Sequence, residues 1–483
     1  MLFNSLEFLL FFPIVCLGYF LLPHKYRWIW LLIASYIFYM GWNASYALLL
    51  LFSTVATWAT GLAVGKSTKS AHRKAFLALG IIVNLSILFV FKYFGFFMDT
   101  IYSLFRMLGI GYTEIQFSLI LPVGISFYTF QAIGYCIDVY RKQTPVQKHF
   151  GKYALFVSFF PQLVAGPIER SYTLIPQFEE KHVFSAERTA SGLRLMAWGF
   201  FKKIVIADTV CVAVNRVYNN VESFQGIPLI LATVLFTIQI FCDFSGYSDI
   251  ARGCARIMGF RLMKNFDHPY FATSIKDFWR RWHISLSTWF KDYVYIPLGG
   301  NRKGKHRTSL NLLITFLVSG LWHGANWTFI IWGGFHAIVQ IIERYTKNFF
   351  TKLSRITRLE RVPRLRKAGK IIFTFCLVCF AWIFFRANSV QDAFYVVSNL
   401  FRFGGESMYT TLKLMFDTRA EFYRLLLTLP VFVIASFIDK KWTINRIVTH
   451  RSTAVRFIIY VIIVVYILLA ARADIQDFIY FQF

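Results

Sequence analysis

Residues 309–342 read SLNLLITFLVSGLWHGANWTFIIWGGFHAIVQII, with no Asp, Glu, Lys or Arg in the run. A membrane-spanning helix needs about 20 mostly apolar residues. The stretch is therefore long enough for two crossings, or for one crossing and a re-entrant element. Its centre is polar in one place: Leu321-Trp322-His323-Gly324-Ala325-Asn326-Trp327. A polar ring at membrane depth is costly and as a rule faces a cavity or pathway. The alternative is a histidine hydrogen-bonded across helices. Gly324 lets another backbone or a ligand come close. His336 follows thirteen residues after His323 and on its own reads as structural.

Outward from this stretch the chain repeats the same theme. Apolar runs near 6–22, 28–44, 46–64, 76–98, 117–138, 192–217, 226–246, 370–386, 423–438 and 456–471 each suit a spanning helix. The run 153–166 is short for a full span. The expected fold is an all-α polytopic membrane protein. Residues 1–483 read as one membrane domain, with no internal repeat or low-complexity linker. Basic residues gather around 24–27, 66–74, 141–152, 276–307, 344–370 and 440–451, which puts those loops on the cytoplasmic face. The loops 218–225 and 387–422 have little or no basic excess and are expected outside. The pattern requires 153–166 and 309–342 each to begin and end inside, and leaves both ends of the sequence outside.

Composition agrees. The chain is 57% hydrophobic and only 16% charged, against roughly 45–50% and about 25% for a soluble protein. Lipid must cover most of its surface. The net charge is +28. In so apolar a chain this reflects positive cytoplasmic loops and contact with anionic lipid or phosphate, not nucleic acid. Seven cysteines lie mostly in apolar runs; Cys376 and Cys379 form a C-x-x-C pair with no histidine nearby. They read as small buried hydrophobes, and no metal site is expected. Met1-Leu-Phe-Asn-Ser-Leu-Glu7 lacks a basic start, and no cleavage site follows, so the first apolar run reads as a retained helix.

Four further segments could carry chemistry. Asp277-Phe-Trp-Arg280-Arg281-Trp282-His283-Ile-Ser285 mixes aromatics with cations. Arg280 and Arg281 could hold phosphates of a nucleotide-bearing donor. Equally, the segment could be an interfacial helix with an aromatic belt and snorkelling arginines. Asp243-Phe-Ser-Gly-Tyr-Ser-Asp249 ends an apolar run; its carboxylates would line a funnel or, as favoured here, anchor a helix break. Pro122–Gln131 and Pro161–Arg170 carry Pro and Gly that mark irregular backbone. Phe478-Ile-Tyr480-Phe-Gln-Phe483 reads as an aromatic interface anchor. Two resemblances fail. Gly61-Leu-Ala-Val-Gly65-Lys66-Ser67 has its first glycine one place late for a P-loop and follows a membrane helix. No G-x-S-x-G elbow of a serine hydrolase is present.

Taken together, Trp322-His323-Gly324, Arg281-Trp282-His283 and Asp243–Asp249 resemble the membrane-bound O-acyltransferases, over nearly the whole chain. The likeness is greatest to the bacterial branch that acetylates alginate and peptidoglycan. The resemblance implies a ring of about eleven transmembrane helices with re-entrant segments around a central tunnel. It implies that His323 is catalytic and that His283 joins it. It places Arg280, Arg281, Trp282 and Asn326 at the donor, and Asp243, Asp249 and Gly324 in structural or tunnel roles. Tyr480 would be an acyl relay. The implied donor substrate is acetyl-CoA, with no permanently bound cofactor and no metal. The acceptor would be an envelope polysaccharide, finished by an SGNH-type partner outside the bacterial cytoplasmic (inner) membrane. Teichoic-acid relatives imply D-alanyl or another short acyl group as the alternative.

Two other classes compete. A secondary transporter predicts inverted repeats and paired broken helices, and no repeat is visible. A non-catalytic scaffold gives no reason for His323 and His283 to sit in such apolar surroundings.

Overall fold

The computed structural model describes the chain except residues 115–118, 165, 358, 404–412, 417, 443–451, 471–477 and 480–483. Among the described residues all regular elements are helical, as the apolar runs predict. Among the described residues five helices are long and apolar enough to cross a membrane: Ser45–Lys66, Ser70–Met107, Ile227–Met258, Pro363–Arg386 and Ala420–Phe437. Leu6–Leu21 and Ala454–Ala470 are shorter apolar helices. The expected basic residues Arg446 and Arg451 lie outside the described residues.

The chain folds as two compact units, Met1–Met196 with Ile250–Met263, and Ala197–Asp249 with Lys264–Phe483. In the first unit, buried hydroxyls find partners within and between helices. Ser53 Oγ donates to Asn84 Oδ1 at 2.6 Å, and Tyr153 OH donates to Thr57 Oγ1 at 2.8 Å. Such bonds make polar burial tolerable in a membrane helix. The helix expected over 117–138 begins only at Ile125, because Gly124 takes a left-handed φ of 76°. The run 153–166 forms two pieces, Phe150–Ser158 and Phe160–Leu163. The longer, at nine residues, extends only about 14 Å. The P-loop look-alike at Gly61 is part of the continuous helix Ser45–Lys66.

In the second unit, Phe201–Ala207 is a π-helical turn followed by Asp208–Tyr218. Its apolar face packs Phe201, Val205, Ile206 and Ala207 with Cys242, Phe432 and Ala470. Helix Ile227–Met258 passes uninterrupted through Asp243 and Asp249, so the helix break expected there does not exist. The carboxylates are neutralised by lysines instead. Lys203 Nζ lies 2.9 Å from both Asp243 Oδ1 and Asp208 Oδ1, and Lys202 Nζ lies 2.6 Å from Asp249 Oδ2. Paired in this way, buried carboxylates can be carried in regular helix.

The stretch 309–342 becomes a hairpin of two helices, Gly304–His323 and Trp327–Ile356. Their backbones touch. A Cβ on Gly320 would strike the Phe329 carbonyl, and one on Gly333 the Phe316 carbonyl. Small residues at a helix crossing allow this approach. A Cβ on Gly324 would likewise meet the Phe329 ring.

Candidate active site

His323 is the last residue of its helix, and Gly324 leaves it in extended backbone. The histidine is buried, at 2% exposure. Its ring is walled by Trp322 at 5.0 Å, Trp332 at 4.9 Å and Phe385 at 5.4 Å, centroid to centroid. Trp332 comes from the other arm of the hairpin and Phe385 from helix Pro363–Arg386. The three-residue turn Gly324–Asn326 thus brings both arms to one ring.

His283 reaches the same wall from another element. It precedes helix Ile284–Phe290 with φ 42° and ψ 56°, a left-handed conformation that non-glycine residues seldom adopt but in which histidine is enriched. No side-chain cap comes from His283 itself. Asn265 supplies it: Ser285 N and Oγ both donate to Asn265 Oδ1, at 3.3 and 2.7 Å, and Ile284 N donates to Asn265 O at 2.9 Å. Asn265 Nδ2 in turn donates to Ser248 Oγ at 3.2 Å. The ring of His283 is fully buried. It meets Phe244 edge-on at 4.6 Å and Trp322 at 6.1 Å. One indole, Trp322, therefore borders both histidines. Burial pushes the His283 imidazole, outside the membrane-spanning helices, down to about 3. It is neutral at physiological pH.

The wall continues as an aromatic cluster. Trp282 packs on Trp382 at 5.1 Å and Trp332 on Trp382 at 5.8 Å. His336 lies beyond, 5.0 Å from Trp332 and 5.2 Å from Trp279. The indole N–H groups of Trp279, Trp282, Trp332 and Trp382 have no acceptor among the described residues, nor has His336 a hydrogen-bond partner there. Buried donors of this kind normally find partners.

The remaining sequence candidates fall in distinct places. Trp282 is wholly buried in that cluster. Arg281 Nε pairs with Asp277 Oδ1 at 3.0 Å, while Arg280 is exposed. Asn326 Oδ1 accepts from Thr328 N at 3.0 Å, and its Nδ2 donates to Asn388 O at 3.4 Å, so it caps the second arm of the hairpin. Asp243 and Asp249 sit in the lysine pairs described above. Tyr480 lies outside the described residues, but Phe478 and Ile479 just before it are buried. The residues missed by sequence reasoning are Asn265, Lys202, Lys203 and Phe244. Among the described residues no cluster of His, Cys, Asp or Glu could hold a metal ion.

Imidazoles buried among indoles thus stand in a chain whose described elements are all helical and include helices of membrane-spanning length. Comparison with known proteins gives the family. Residues 145–387 match the membrane-bound O-acyltransferase family, and the chain belongs to it and is an O-acyltransferase. It is 41% identical over 408 residues to the probable alginate O-acetylase of Pseudomonas aeruginosa, covering 84% of this chain and 75% of that protein. It is 36% identical over 444 residues to the peptidoglycan O-acetyltransferase of Helicobacter pylori, covering 84% of this chain and 81% of that one. The teichoic acid D-alanyltransferase of Bacillus subtilis is 28% identical over 288 residues, 56% of this chain and 69% of its own.

Proposed function

We propose that this protein takes an acetyl group from acetyl-CoA on the cytoplasmic side and passes it across the bacterial cytoplasmic membrane. Its final destination is a hydroxyl of an envelope polysaccharide, alginate-like or peptidoglycan. The observation that carries the reading is the pair of buried histidines bordering Trp322. A thioester is already activated. The enzyme has to deprotonate a hydroxyl, hold the reactants together and keep water out. His323 takes the proton as the hydroxyl oxygen attacks the thioester carbonyl. The C–S bond breaks, and the proton returns from His323 to the departing thiolate. General-base catalysis of this type is worth roughly 10²–10⁴-fold, and positioning adds to it. His283, neutral in its apolar setting, orients the thioester or steadies the charge that develops on its oxygen. The indole donors of Trp279, Trp332 and Trp382 suit the carbonyl-rich arm of such a donor.

The basic loops support a cytoplasmic donor side, where Arg280 and Arg281 would meet the donor's phosphates. Tyr480 would receive the acetyl group as an ester and release it outward to an SGNH-type partner. The acetylating relatives have higher identity and coverage than the D-alanyl one, which favours acetyl over D-alanyl. Purified protein in proteoliposomes, given radiolabelled acetyl-CoA, should cleave it and carry label. His323→Ala should abolish cleavage. Tyr480→Phe, which lacks the hydroxyl that receives the acetyl group, should lose labelling of the protein and transfer to an outer acceptor, leaving only hydrolytic cleavage. Native acetyl transfer by well-folded His323→Ala protein would refute the reading, and labelling only from a D-alanyl carrier would redirect it.

A further inference from the structure

We propose that Asp243 is a positioning residue, which seats the segment Phe478–Ile479 against the His283 side of the site with Lys203 as its counter-charge. The backbone N–H of Ile479 donates to Asp243 Oδ2 at 2.7 Å, across 236 residues of sequence. The other oxygen, Oδ1, lies 2.9 Å from Lys203 Nζ, which also binds Asp208 at 2.9 Å. The carboxylate thus meets the Lys203 ammonium on one oxygen and a backbone donor on the other, and a hydrogen bond to an ionised acceptor is roughly twice as strong as a neutral one. Because the donor is main chain, the contact fixes register. It sets where along the segment the chain is held, whatever the side chain at that position.

Side chains then orient what the backbone has seated. Phe478 is fully buried. Its ring lies 4.5 Å from Tyr247 and 5.7 Å from Phe244. Phe244 meets His283 at 4.6 Å on a nearly perpendicular edge. Asp243, Phe244 and Tyr247 lie within one turn of a single helix, at the i, i+1 and i+4 spacing that puts the first and third on one face. The carboxylate and the two rings form one seat. A buried ion group is a costly way to pack a helix, and an apolar residue at 243 would serve packing alone as well. The seat explains the group, and Tyr480 is the next residue in the sequence.

The catalytic side of this inference rests on the proposed relay at Tyr480; the seating does not. The test uses the full chain carrying Ile479→Cys in a Cys376→Ser background, since Cys376 is the exposed thiol. Maleimide labelling of position 479 should be slow with Asp243 present. It should be at least tenfold faster with Asp243→Ala, and close to the parent with Asp243→Asn, which keeps an oxygen acceptor. Phe478→Ala, which leaves the ion group intact, should also speed labelling, and it serves where Asp243→Ala fails to fold. Equal labelling rates in all variants would overturn the seat. On the otherwise unaltered chain, Asp243→Ala should lower kcat for outward transfer at least tenfold with the donor KM unchanged, and Asp243→Asn should recover most of it. Faster labelling with unchanged transfer would keep the seat and overturn its catalytic purpose. Intact transfer by Tyr480→Phe would overturn the relay without touching the labelling result.

Discussion

The rings of His323 and Trp332 meet at 84° with their centroids 4.9 Å apart. The indole belongs to the opposite arm of the hairpin and fixes how the imidazole is turned. Trp332→Leu should leave the hairpin formed but free the ring, and a displacement of about 1 Å can cost up to roughly 10²-fold in rate. Trp332→Phe keeps an aromatic wall and should lose much less. Steady-state kcat for acetyl transfer, with melting temperature as the fold control, separates the two.

The glycine crossing makes a prediction about folding. Gly333→Val would drive a branched side chain into the Phe316 carbonyl of the facing helix. Overpacking costs typically about 1–3 kcal/mol, and more where backbone must move. The variant should elute as aggregate or melt well below the parent in size-exclusion and thermal assays. Gly334→Ala, one residue on and in looser surroundings, should behave like the parent.

His283 offers a backbone test and a pH test. Its left-handed φ of 42° is tolerated by Asn and resisted by β-branched residues. His283→Asn should fold and be impaired in catalysis, whereas His283→Val should lose stability as well. The pH test follows from burial, which lowers the folded imidazole from 6.5 to about 3. Between these values the unfolded chain binds a proton that the folded one refuses. The contribution is therefore complete above about pH 6.5 and is lost as pH falls toward 3, at up to about 1.4 kcal/mol per pH unit. Melting curves between about pH 7 and pH 4 should fall more steeply for the parent than for His283→Asn. Parallel curves would contradict the assignment.

The Lys202–Asp249 pair, 2.6 Å apart with side-chain exposures of 5% and 16%, should behave as a buried ion pair. Removing one partner, as in Asp249→Ala, should cost about 3–5 kcal/mol. Lys202→Met with Asp249→Leu should recover most of that loss. Chemical denaturation in detergent would read both.

Much of this was legible beforehand, for identifiable reasons. Apolar runs fix helices because a bilayer leaves the backbone few options, and most helices lie close to the runs that predicted them. His323 stood out because a polar ring in such a run needs a reason. The left-handed turn at His283 was hidden, since the residue that supports it, Asn265, lies in another segment. Lys202 and Lys203 were hidden inside the apolar run 192–217, where nothing in the sequence ties them to a carboxylate. That is why Asp243 and Asp249 pointed to a helix break: a carboxylate without its counter-charge looks like an end. The contact of Ile479 with Asp243 is made by main chain, which carries no side-chain signature at all.

The helix that ends at His323 has one more consequence. Its twenty residues align their peptide dipoles toward that end, where the last carbonyls present the equivalent of about half a negative charge. A positive charge brought to that pole is favoured by about 0.3–1 kcal/mol, and by up to about 2 when partly buried. This part of the local field is written into the peptide bonds of residues 304–323, where side-chain substitution has little purchase on it.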